Sequence, residues 1–402
     1  MRSGAEILEG AEIWGAFDGL VFAGTQDSAA FVARPRTAIV AAGAYERPVL
    51  VPGWTLPGVM TTGAAQTLWR SDRILPGRRI MVCGSGPLNL QVALELAEGG
   101  AELAMVAERA PAPFQRPWAA LRMLAAGPRL TAQGIAIYRR LRRRGVPVLD
   151  RTELLRIEPA GPGLVARVRT GNGGETSVEV DAVCMNIGFE PQNELLRLLG
   201  AEMRYDAAFG HLRTRRSELM QTSVPGLFAV GDCAGLGGAP AARVEGRIAG
   251  HAAAAAAGFD ATDDLGAEMR ELRRHRRFQS CLWRLYDVTP CEVAGLPETT
   301  PICRCEDIDL GTLRAAMDER PGHAGTLKRW TRAGMGRCQG RYCALVLARV
   351  VAGATGALLD SRSGFAPRVP VRPTPLAAIQ AVQEAFSVPG DDTPCRAPLD
   401  PA

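Results

Sequence analysis

The chain has 402 residues, of which 47% are hydrophobic and 22% charged, and a net charge of +5. This length exceeds what one small core can bury and indicates two or three domains of ordinary globular composition. So mild a charge does not require a nucleic-acid partner. No apolar stretch approaches the roughly 20 residues that span a bilayer, and the N-terminus lacks the apolar core of a signal peptide. We expect a cytoplasmic protein with no nucleic-acid partner and no transmembrane segment, whose only membrane contact would be through partners.

The first part of the chain contains short strands and turns. An apolar run at 37–44, TAIVAAGA, closes on glycine as a buried strand does where it meets a turn. Residues 63–71 have a helical pattern. The abundance of glycine and alanine favours an α/β protein with tight turns.

A βαβ unit follows. Residues 79–83 predict a strand, residues 88–99 a helix, and residues 102–106 a second strand that ends at Glu108. The connection between the first strand and the helix is a glycine turn made of Gly84, Ser85, Gly86 and Pro87. A strand, a glycine turn and a helix in this order are the context that a dinucleotide-binding site needs.

The turn has the spacing G-x-G-x-x-N, with Asn89 where a third glycine is usual. The two glycines would let a pyrophosphate approach the helix N-terminus, whereas Asn89 predicts a weaker contact between helix and strand. Glu108 follows Gly86 by 22 residues (108 − 86), where an acid could bond an adenosine ribose. NAD or another adenine nucleotide is favoured over NADP, and a Rossmann-type unit that binds nothing is the alternative.

The middle of the chain predicts further alternating elements. They are a basic helix at 132–144 with a solvated face, a strand at 146–149, a hairpin at 164–180 turning at 170–174, a buried strand at 181–188, a strand at 224–234 that runs into Gly231 and Asp232, and a long helix through residue 257. After it come a basic linker at 270–277 and a Pro-rich end that forms a wrapping or loose tail.

Four cysteines form two short-spaced pairs. Cys303 and Cys305 make a C-x-C pair, and Cys338 and Cys343 make a C-x4-C pair. Two loops that each supply two thiolates can hold a [2Fe–2S] cluster, but four cysteines also suit zinc or can remain unligated. Positive charge near the second pair would lower the thiol pKa values, and nearby glycines would let backbone N–H groups face the sulfurs. These neighbours are Lys328, Arg329, Arg332, Arg337 and Arg341, with Gly334, Gly336 and Gly340.

The sequence contains no convincing catalytic set of its own. Its four histidines are scattered, no C-x-x-C lies in the nucleotide domain, and Cys83, Cys184 and Cys233 sit at apolar strand ends as core residues do. We therefore predict no catalytic residue in this chain.

The C-terminal motifs resemble a known family. The strings at 301–306 (PICRCE) and 331–343 (TRAGMGRCQGRYC) resemble the cluster-binding domain related to bacterioferritin-associated ferredoxin. The version found here is similar to the one at the C-terminus of the flavin-and-cluster subunits of hydrogen cyanide synthase, opine oxidase and proline or hydroxyproline dehydrogenases. This resemblance covers nearly the whole chain and implies that the four cysteines hold a [2Fe–2S] cluster.

The same resemblance extends to the flavin motifs. In that family a strand and turn like the one at Gly43 and Ala44 contact FAD, and an aspartate in the place of Asp232, after Gly231, bonds the ribityl chain. The implied fold class is α/β, a two-dinucleotide-binding-domain flavoprotein with a partial FAD domain, an inserted Rossmann-like domain and a small α-rich [2Fe–2S] domain. The implied segments are a partial FAD domain at 1–75 and 190–260, a nucleotide domain at 76–189, a linker at 261–300, a cluster domain at 301–356 and a tail at 357–402.

One family element is missing from the expected pattern. No strand, G-x-G-x-x-G turn and helix for the FAD diphosphate precede Gly84. Three explanations remain open: a start further upstream, a contribution from another polypeptide, or loss of flavin binding. The FAD site is therefore expected to be incomplete in this chain.

The resemblance implies an electron-transfer component of a multi-subunit amine or amino-acid dehydrogenase. An FAD-containing partner subunit would oxidise the opine, proline, hydroxyproline or glycine, and electrons would pass through the cluster toward FAD or an external acceptor. The alternatives are an NAD(P)H-dependent flavoprotein reductase and a non-catalytic scaffold subunit.

Overall fold

The computed structural model describes residues 4–27, 29–260, 264–286, 293–387 and 395–398, without the side chains of 384–387 and 395–398. The strands are β1 Glu12–Phe17, β2 Val21–Gln26, β3 Ala29–Ala33, β4 Ala38–Val40, β5 Ala44–Glu46, β6 Val59–Thr61, β7 Arg79–Gly84, β8 Glu102–Glu108, β9 Val148–Leu149, β10 Glu153–Ala160, β11 Gly163–Arg169, β12 Glu175–Val180, β13 Ala182–Asn186, β14 Phe189–Pro191, β15 Met203–Asp206, β16 His211–Thr214, β17 Leu227–Ala229, β18 Pro301–Cys303, β19 Ile308–Asp309 and β20 Cys395–Pro398.

The helices follow the same numbering in chain order. They are α1 Thr62–Thr67, α2 Pro87–Glu98, α3 Pro117–Ala126, α4 Pro128–Arg143, α5 Glu194–Leu198, α6 Gly238–Ala256, α7 Gly266–Tyr286, α8 Leu310–Glu319, α9 Ala324–Thr331, α10 Ala344–Thr355 and α11 Leu376–Ser387. None of these described helices is both long and apolar enough to cross a bilayer.

Strands of the predicted nucleotide domain form a parallel sheet of order β6-β13-β7-β8-β9, which also includes β6 from the segment before it. Its central strands are buried on both faces: Ile80, Met81 and Val82 of β7 and all of β13 are shielded from water. Such continuous apolar runs are typical of parallel strands covered by helices on both faces. The predicted strand–turn–helix–strand unit is confirmed as β7, α2 and β8.

A second layer covers one face of this sheet. Strands β10, β11 and β12 form an antiparallel sheet, and the predicted hairpin is confirmed by the β11–β12 pairing. The turn is closed by the amide of Thr170, which donates to the carbonyl of Gly174 over 2.9 Å. The apolar side of this sheet packs on the parallel sheet, since Leu164, Ala166 and Val168 are buried and alternate with more exposed residues.

The segments predicted to form a partial FAD domain, 1–75 and 190–260, contain a smaller parallel pair of strands. Within the described residues β4 pairs with β17 alone, and α6 follows that pair. The antiparallel strands β1, β2 and β3 lie in sequence before it, and β3 also pairs with β20. Strand β14, which follows β13 in the chain, pairs with β5.

The predicted basic linker at 270–277 is wrong, since these residues lie inside the 21-residue helix α7. Leu272 and Phe278, together with Leu285 further on, are buried, whereas most of the arginines between them face outward. The helix packs on α6 and α3. The many arginines favour the prediction of a linker, but the segment is an amphipathic helix. Its stability comes from its buried apolar face.

The C-terminal region is a helical unit attached to the rest of the chain by a shared core. A short β18–β19 hairpin precedes α8, α9 and α10. One buried cluster runs without a break from Trp54 and β10 to Leu313 and Leu347 of these helices. The indole of Trp54 donates to the carbonyl of Pro301 over 2.6 Å.

Where the structure describes the predicted tail, this segment wraps against the rest of the chain. The amide of Val371 donates to the carbonyl of Trp14 over 2.8 Å, and α11 packs on β3. Residues 388–394 and 399–402 of this predicted tail lie outside the described residues.

Candidate functional site

The structure brings the four predicted cysteines together in two pairs. Cys303 ends β18, Cys343 immediately precedes α10, and both are buried, whereas Cys305 is exposed and Cys338 half-buried. The thiol of Cys343 hydrogen-bonds to the sulfur of Cys303, and the side chains of Cys305 and Cys338 form a similar contact. Each pair therefore joins one residue of the C-x-C to one of the C-x4-C.

Hydrogen bonding gives the two buried cysteines, Cys303 and Cys343, different pKa values. The Cys343 thiol donates to Cys303 and, against the effect of burial, lowers the pKa of Cys303 to about 6. The backbone N–H groups of Gly334, at 3.3 Å, and of residues 305 and 306 add to this effect. The pKa of Cys343 is raised because it makes that hydrogen bond and because it is buried.

The predicted glycine effect is confirmed at Gly334, but the predicted arginine effect is not. Arg332 pairs with Glu306 at 2.9 Å. Arg341 donates to the hydroxyl of Tyr45 on β5 over 2.5 Å and so faces away from the sulfurs. The neighbouring thiol and the backbone N–H groups lower the pKa of Cys303 instead.

The glycines around the cysteines leave no room for side chains. A Cβ at Gly336 would lie 2.3 Å from the Cβ of Cys305. Gly334 and Gly340 have φ values of +85° and +84°, and a Cβ on either would meet the ring of Phe365 within 2.5 Å. The loop can pack this closely against Cys305 and Phe365 only because these residues are glycines. Among the described residues no three Cys, His, Asp or Glu side chains are placed as ligands of a single metal ion.

The predicted flavin-contacting residues also meet. Strands β4 and β17 run in parallel, and Gly43 and Gly231 follow their carboxyl ends with φ values of +76° and +68°. Asp232 accepts from the amides of Gly237 and Gly238 over 2.8 and 2.9 Å and so fixes the start of α6. Ala44 begins β5. The carboxyl ends of parallel strands are where open α/β sheets bind ligands.

The nucleotide turn has the predicted geometry, although Asn89 acts differently from the expectation. Gly84 and Gly86 have φ values of +125° and +121°, and a Cβ at Gly84 would lie 2.0 Å from the carbonyl oxygen of Asn186. The predicted weakening by Asn89 is wrong, because its buried amide donates to that same carbonyl over 2.9 Å. Its side-chain oxygen accepts from Thr62 over 2.8 Å. The asparagine thus ties α2 to β13.

The turn is closed by other parts of the chain. The carboxyl of Glu108 accepts from the amides of Gly86 and Ala110 over 3.0 and 2.9 Å. The Ser85 hydroxyl lies 2.8 Å from Glu108 and 2.6 Å from the carbonyl of Tyr286, at the end of α7. Burial raises the pKa of Glu108. A hydroxyl has one proton, so a protonated Glu108 donating to Ser85 would satisfy both contacts.

The sequence does not predict this closure. Tyr286 lies 201 residues from Ser85, and the arginines of the segment before it predict a linker. An amphipathic pattern, with Leu272 and Leu285 on one face, was the available signal. The predicted core cysteines Cys83, Cys184 and Cys233 are confirmed as buried.

Comparison with known proteins identifies the family. The pyridine nucleotide-disulphide oxidoreductase family model matches residues 20–258, which is more than half of the chain. The chain belongs to this family. It is a flavin-dependent oxidoreductase with an α/β fold. A second model, the sarcosine oxidase A3 domain, matches residues 299–383 and so extends beyond the predicted end of the cluster domain at 356.

Several components of larger enzymes are similar to the chain. One opine oxidase subunit of Rhizobium meliloti (strain 1021) is 33% identical over 360 residues, covering 87% of this chain and 77% of that protein. Hydrogen cyanide synthase subunit HcnB of Pseudomonas aeruginosa is 30% identical over 355 residues, covering 85% and 75%.

One solved structure shares the fold. L-proline dehydrogenase from P. horikoshii superposes with a TM-score of 0.64 at 18% identity. The match covers 92% of this chain and 64% of that one, so this chain spans less than two thirds of its length.

Proposed function

We propose that the chain is the electron-relaying subunit of a multi-subunit amine or amino-acid dehydrogenase. The similarity to subunits of opine oxidase and hydrogen cyanide synthase supports this role. An FAD-containing partner subunit would remove a hydride from the carbon beside nitrogen, for an opine, proline, hydroxyproline or glycine substrate. This chain would bind, orient and shield the groups through which the electrons leave.

Cys303, Cys305, Cys338 and Cys343 would hold a [2Fe–2S] cluster, which accepts and passes one electron at a time. The observation that carries this proposal is the convergence of the thiols in two pairs, with the Gly334 amide on a sulfur. A binuclear cluster takes two protein ligands on each iron, as two pairs provide, whereas structural zinc needs four ligands around one point.

On the flavin side, Gly43, Ala44, Gly231 and Asp232 would contact FAD. Their support is geometric: both turns lie at the carboxyl ends of adjacent parallel strands, and the start of α6 lies beside them. The amide of Gly231 is occupied by Glu245 at 2.8 Å. Because one carboxylate oxygen of Asp232 accepts from Gly237 and Gly238, its other oxygen would be the group that meets the cofactor.

The nucleotide domain would hold an adenine nucleotide only after α7 moves. The Ser85 hydroxyl and the Gly86 amide, which would bind a pyrophosphate, are bonded to Tyr286 and Glu108. This arrangement supports the dehydrogenase role over an NAD(P)H-dependent reductase.

Spectroscopy of the purified protein with its partner subunit tests the proposal. We expect iron and acid-labile sulfide in equal amounts, and an electron paramagnetic resonance signal after reduction by dithionite. Replacing Cys338 by serine should abolish both, while Cys281→Ser, at a half-buried position on α7, should change neither. A colourless protein that holds zinc and no sulfide would overturn the cluster.

Substrate bleaching distinguishes the alternatives. Bleaching of the visible spectrum by proline, an opine or glycine only when the partner subunit is present supports the dehydrogenase role. Bleaching of this chain by NADH alone would establish the reductase instead, and no bleaching by any of them would leave the scaffold function.

A further inference from the structure

A cavity of about 170 Å³ lies where three parts of the chain meet. Its walls come from the residues around β5 and β14, from α9 and the turn before α10, and from residues 364–371. None of the four cysteines lines it. It is therefore separate from the candidate cluster site, although Arg341 and Tyr342 of the same loop form part of its wall.

The lining of the cavity is positively charged. Six basic and three acidic side chains line it, and each acid already has partners. Glu190 pairs with Arg47 at 2.5 Å, and Glu194 lies 3.5 Å from Arg341. Glu46 accepts from the amide of Gly63 and from the side chain of Asn186.

Two of these basic side chains, Arg197 and Lys328, lie beside Phe365. Within the described part of the chain, no carboxylate lies at ion-pair distance from Arg197 or Lys328. Arg197 donates to the carbonyl of Phe365, and the Lys328 ammonium lies 4.6 Å from the centre of the Phe365 ring. Burial lowers the pKa of Arg197, although the charges of Glu194 and Glu190 oppose this effect. Two cations, both half-buried, thus contact the same phenylalanine.

Lys328 is the only lysine of the chain, in which Lys and Arg together number 47. All the other residues in this total are arginines. The two residues are not equivalent, because the lysine ammonium is a compact point charge with three donors and a guanidinium is a wide planar fork. A lysine at this cavity fits a small ligand that a guanidinium would crowd.

We propose that this cavity binds a small ligand bearing an oxyanion, either a carboxylate or a phosphate, between the Lys328 ammonium and the Arg197 guanidinium. The anion would offset the repulsion between the two cations and complete the hydrogen bonding of Arg197. The ring of Phe365 would contact the carbon part of the ligand. The volume is below the roughly 300 Å³ at which pockets for drug-sized ligands begin, so the ligand is small.

A single labelled carbon can report on this site. Lysine labelled with ¹³C at Cε gives one signal from this chain, and the signal that disappears in Lys328→Arg is Lys328. We would titrate the purified full chain, with any partner subunit that co-purifies, with inorganic phosphate and separately with succinate, keeping ionic strength constant with sodium chloride. We expect a saturable shift with at least one of them, and which one shifts it identifies the anion.

Matched variants decide whether the site is specific. Arg197→Met should weaken binding about ten- to a hundredfold, as expected for losing a charged hydrogen bond. Arg329→Met, on the exposed side of α9, should leave binding unchanged. If Arg197→Met does not fold, Arg197→Lys should weaken binding while keeping the charge.

Three results would overturn the proposal: no shift with either anion, a shift that is linear like that of chloride, or equal weakening in both arginine variants. The signal requires neither flavin nor cluster. If no anion bound here, the proposed electron-relay function would be unaffected. Loss of the cluster would likewise not contradict anion binding at this cavity.

Discussion

Arg216 and Glu245 form a bidentate ion pair that is almost withdrawn from water. The two nitrogen–oxygen distances are 2.8 and 2.7 Å, and the side chains are 10% and 4% exposed. The same carboxylate accepts from the amide of Gly231 over 2.8 Å and from Arg276 of α7 over 2.9 Å. One side chain of α6 therefore holds both the candidate flavin turn and the helix whose basic sequence predicts a linker.

Replacing Glu245 by glutamine should destabilise the protein by about 3–5 kcal/mol, because it leaves the buried Arg216 without a counter-charge. Urea denaturation would measure the change. Glu202→Gln, which removes the exposed ion pair with Arg215, should cost less than about 1 kcal/mol. Equal losses in the two variants would contradict a special role for the buried pair.

The Glu245 pair also predicts a pH dependence. Burial opposes ionisation of Glu245, but the charge and hydrogen bonds of Arg216 outweigh it and lower the carboxyl pKa. The folded state then holds fewer protons than the unfolded state at acidic pH. The stabilisation is present above the ordinary glutamate pKa and is lost as pH falls through the lowered value. The Glu245→Gln variant should lack this part of the acid transition.

His211 should make the fold sensitive to mild acid. Burial lowers its pKa to about 3, and among the described residues neither ring nitrogen has a hydrogen-bond partner. Between the ordinary histidine pKa and 3, the unfolded chain binds a proton that the folded chain does not. Stability should fall with pH by up to about 1.4 kcal/mol per unit below about 6.5.

His211→Phe should remove that slope while keeping the stacking on Phe209. Denaturation at several pH values between 5 and 8 would show it. The same variant at pH 8 is the control, since the histidine is neutral there in both states and only packing differs. An unchanged slope would show that other groups cause the acid sensitivity.

The glycine beside Cys305 should be essential to the candidate cluster. Gly336→Ala would place a methyl group 2.3 Å from the Cβ of Cys305 and displace that ligand. We expect loss of bound iron and sulfide. Gly353→Ala, in the interior of α10 with open space around it, should keep the cluster and stabilise the helix by up to about 1 kcal/mol. Iron analysis and thermal unfolding of both variants test this contrast.

The closure of the nucleotide turn predicts weak binding of ADP. Arg116 donates to the carbonyl of Arg284 over 2.8 Å and so holds the end of α7 over the turn. Arg116→Ala should ease the movement of α7 and raise the affinity for ADP several-fold in calorimetric titrations. Arg122→Ala, on the exposed side of the helix α3 that follows, should not. Tight binding to the unaltered protein would show that α7 does not obstruct the site.

Much of the fold could be predicted because its signals are local. Continuous apolar runs predicted β7 and β13, glycines marked the turn between β7 and α2, and the turn residues at 170–174 marked the hairpin. The cysteines of the candidate site were also found from spacing, since each short-spaced pair lies within six residues of sequence. Such patterns reflect backbone preferences and periodicity, which neighbouring residues alone determine.

Tertiary structure decided the rest. Sequence spacing could not show that Cys303 meets Cys343 or that Asn89 bridges to Asn186. Nor could it show that Tyr286 closes the turn at Ser85, or that the lone lysine and Arg197 face one cavity. These contacts join residues far apart in the chain, and they form because helices such as α7 must bury their apolar face against whichever surface the fold presents. Local sequence determined the elements and the chemical groups, while packing determined which of those groups meet.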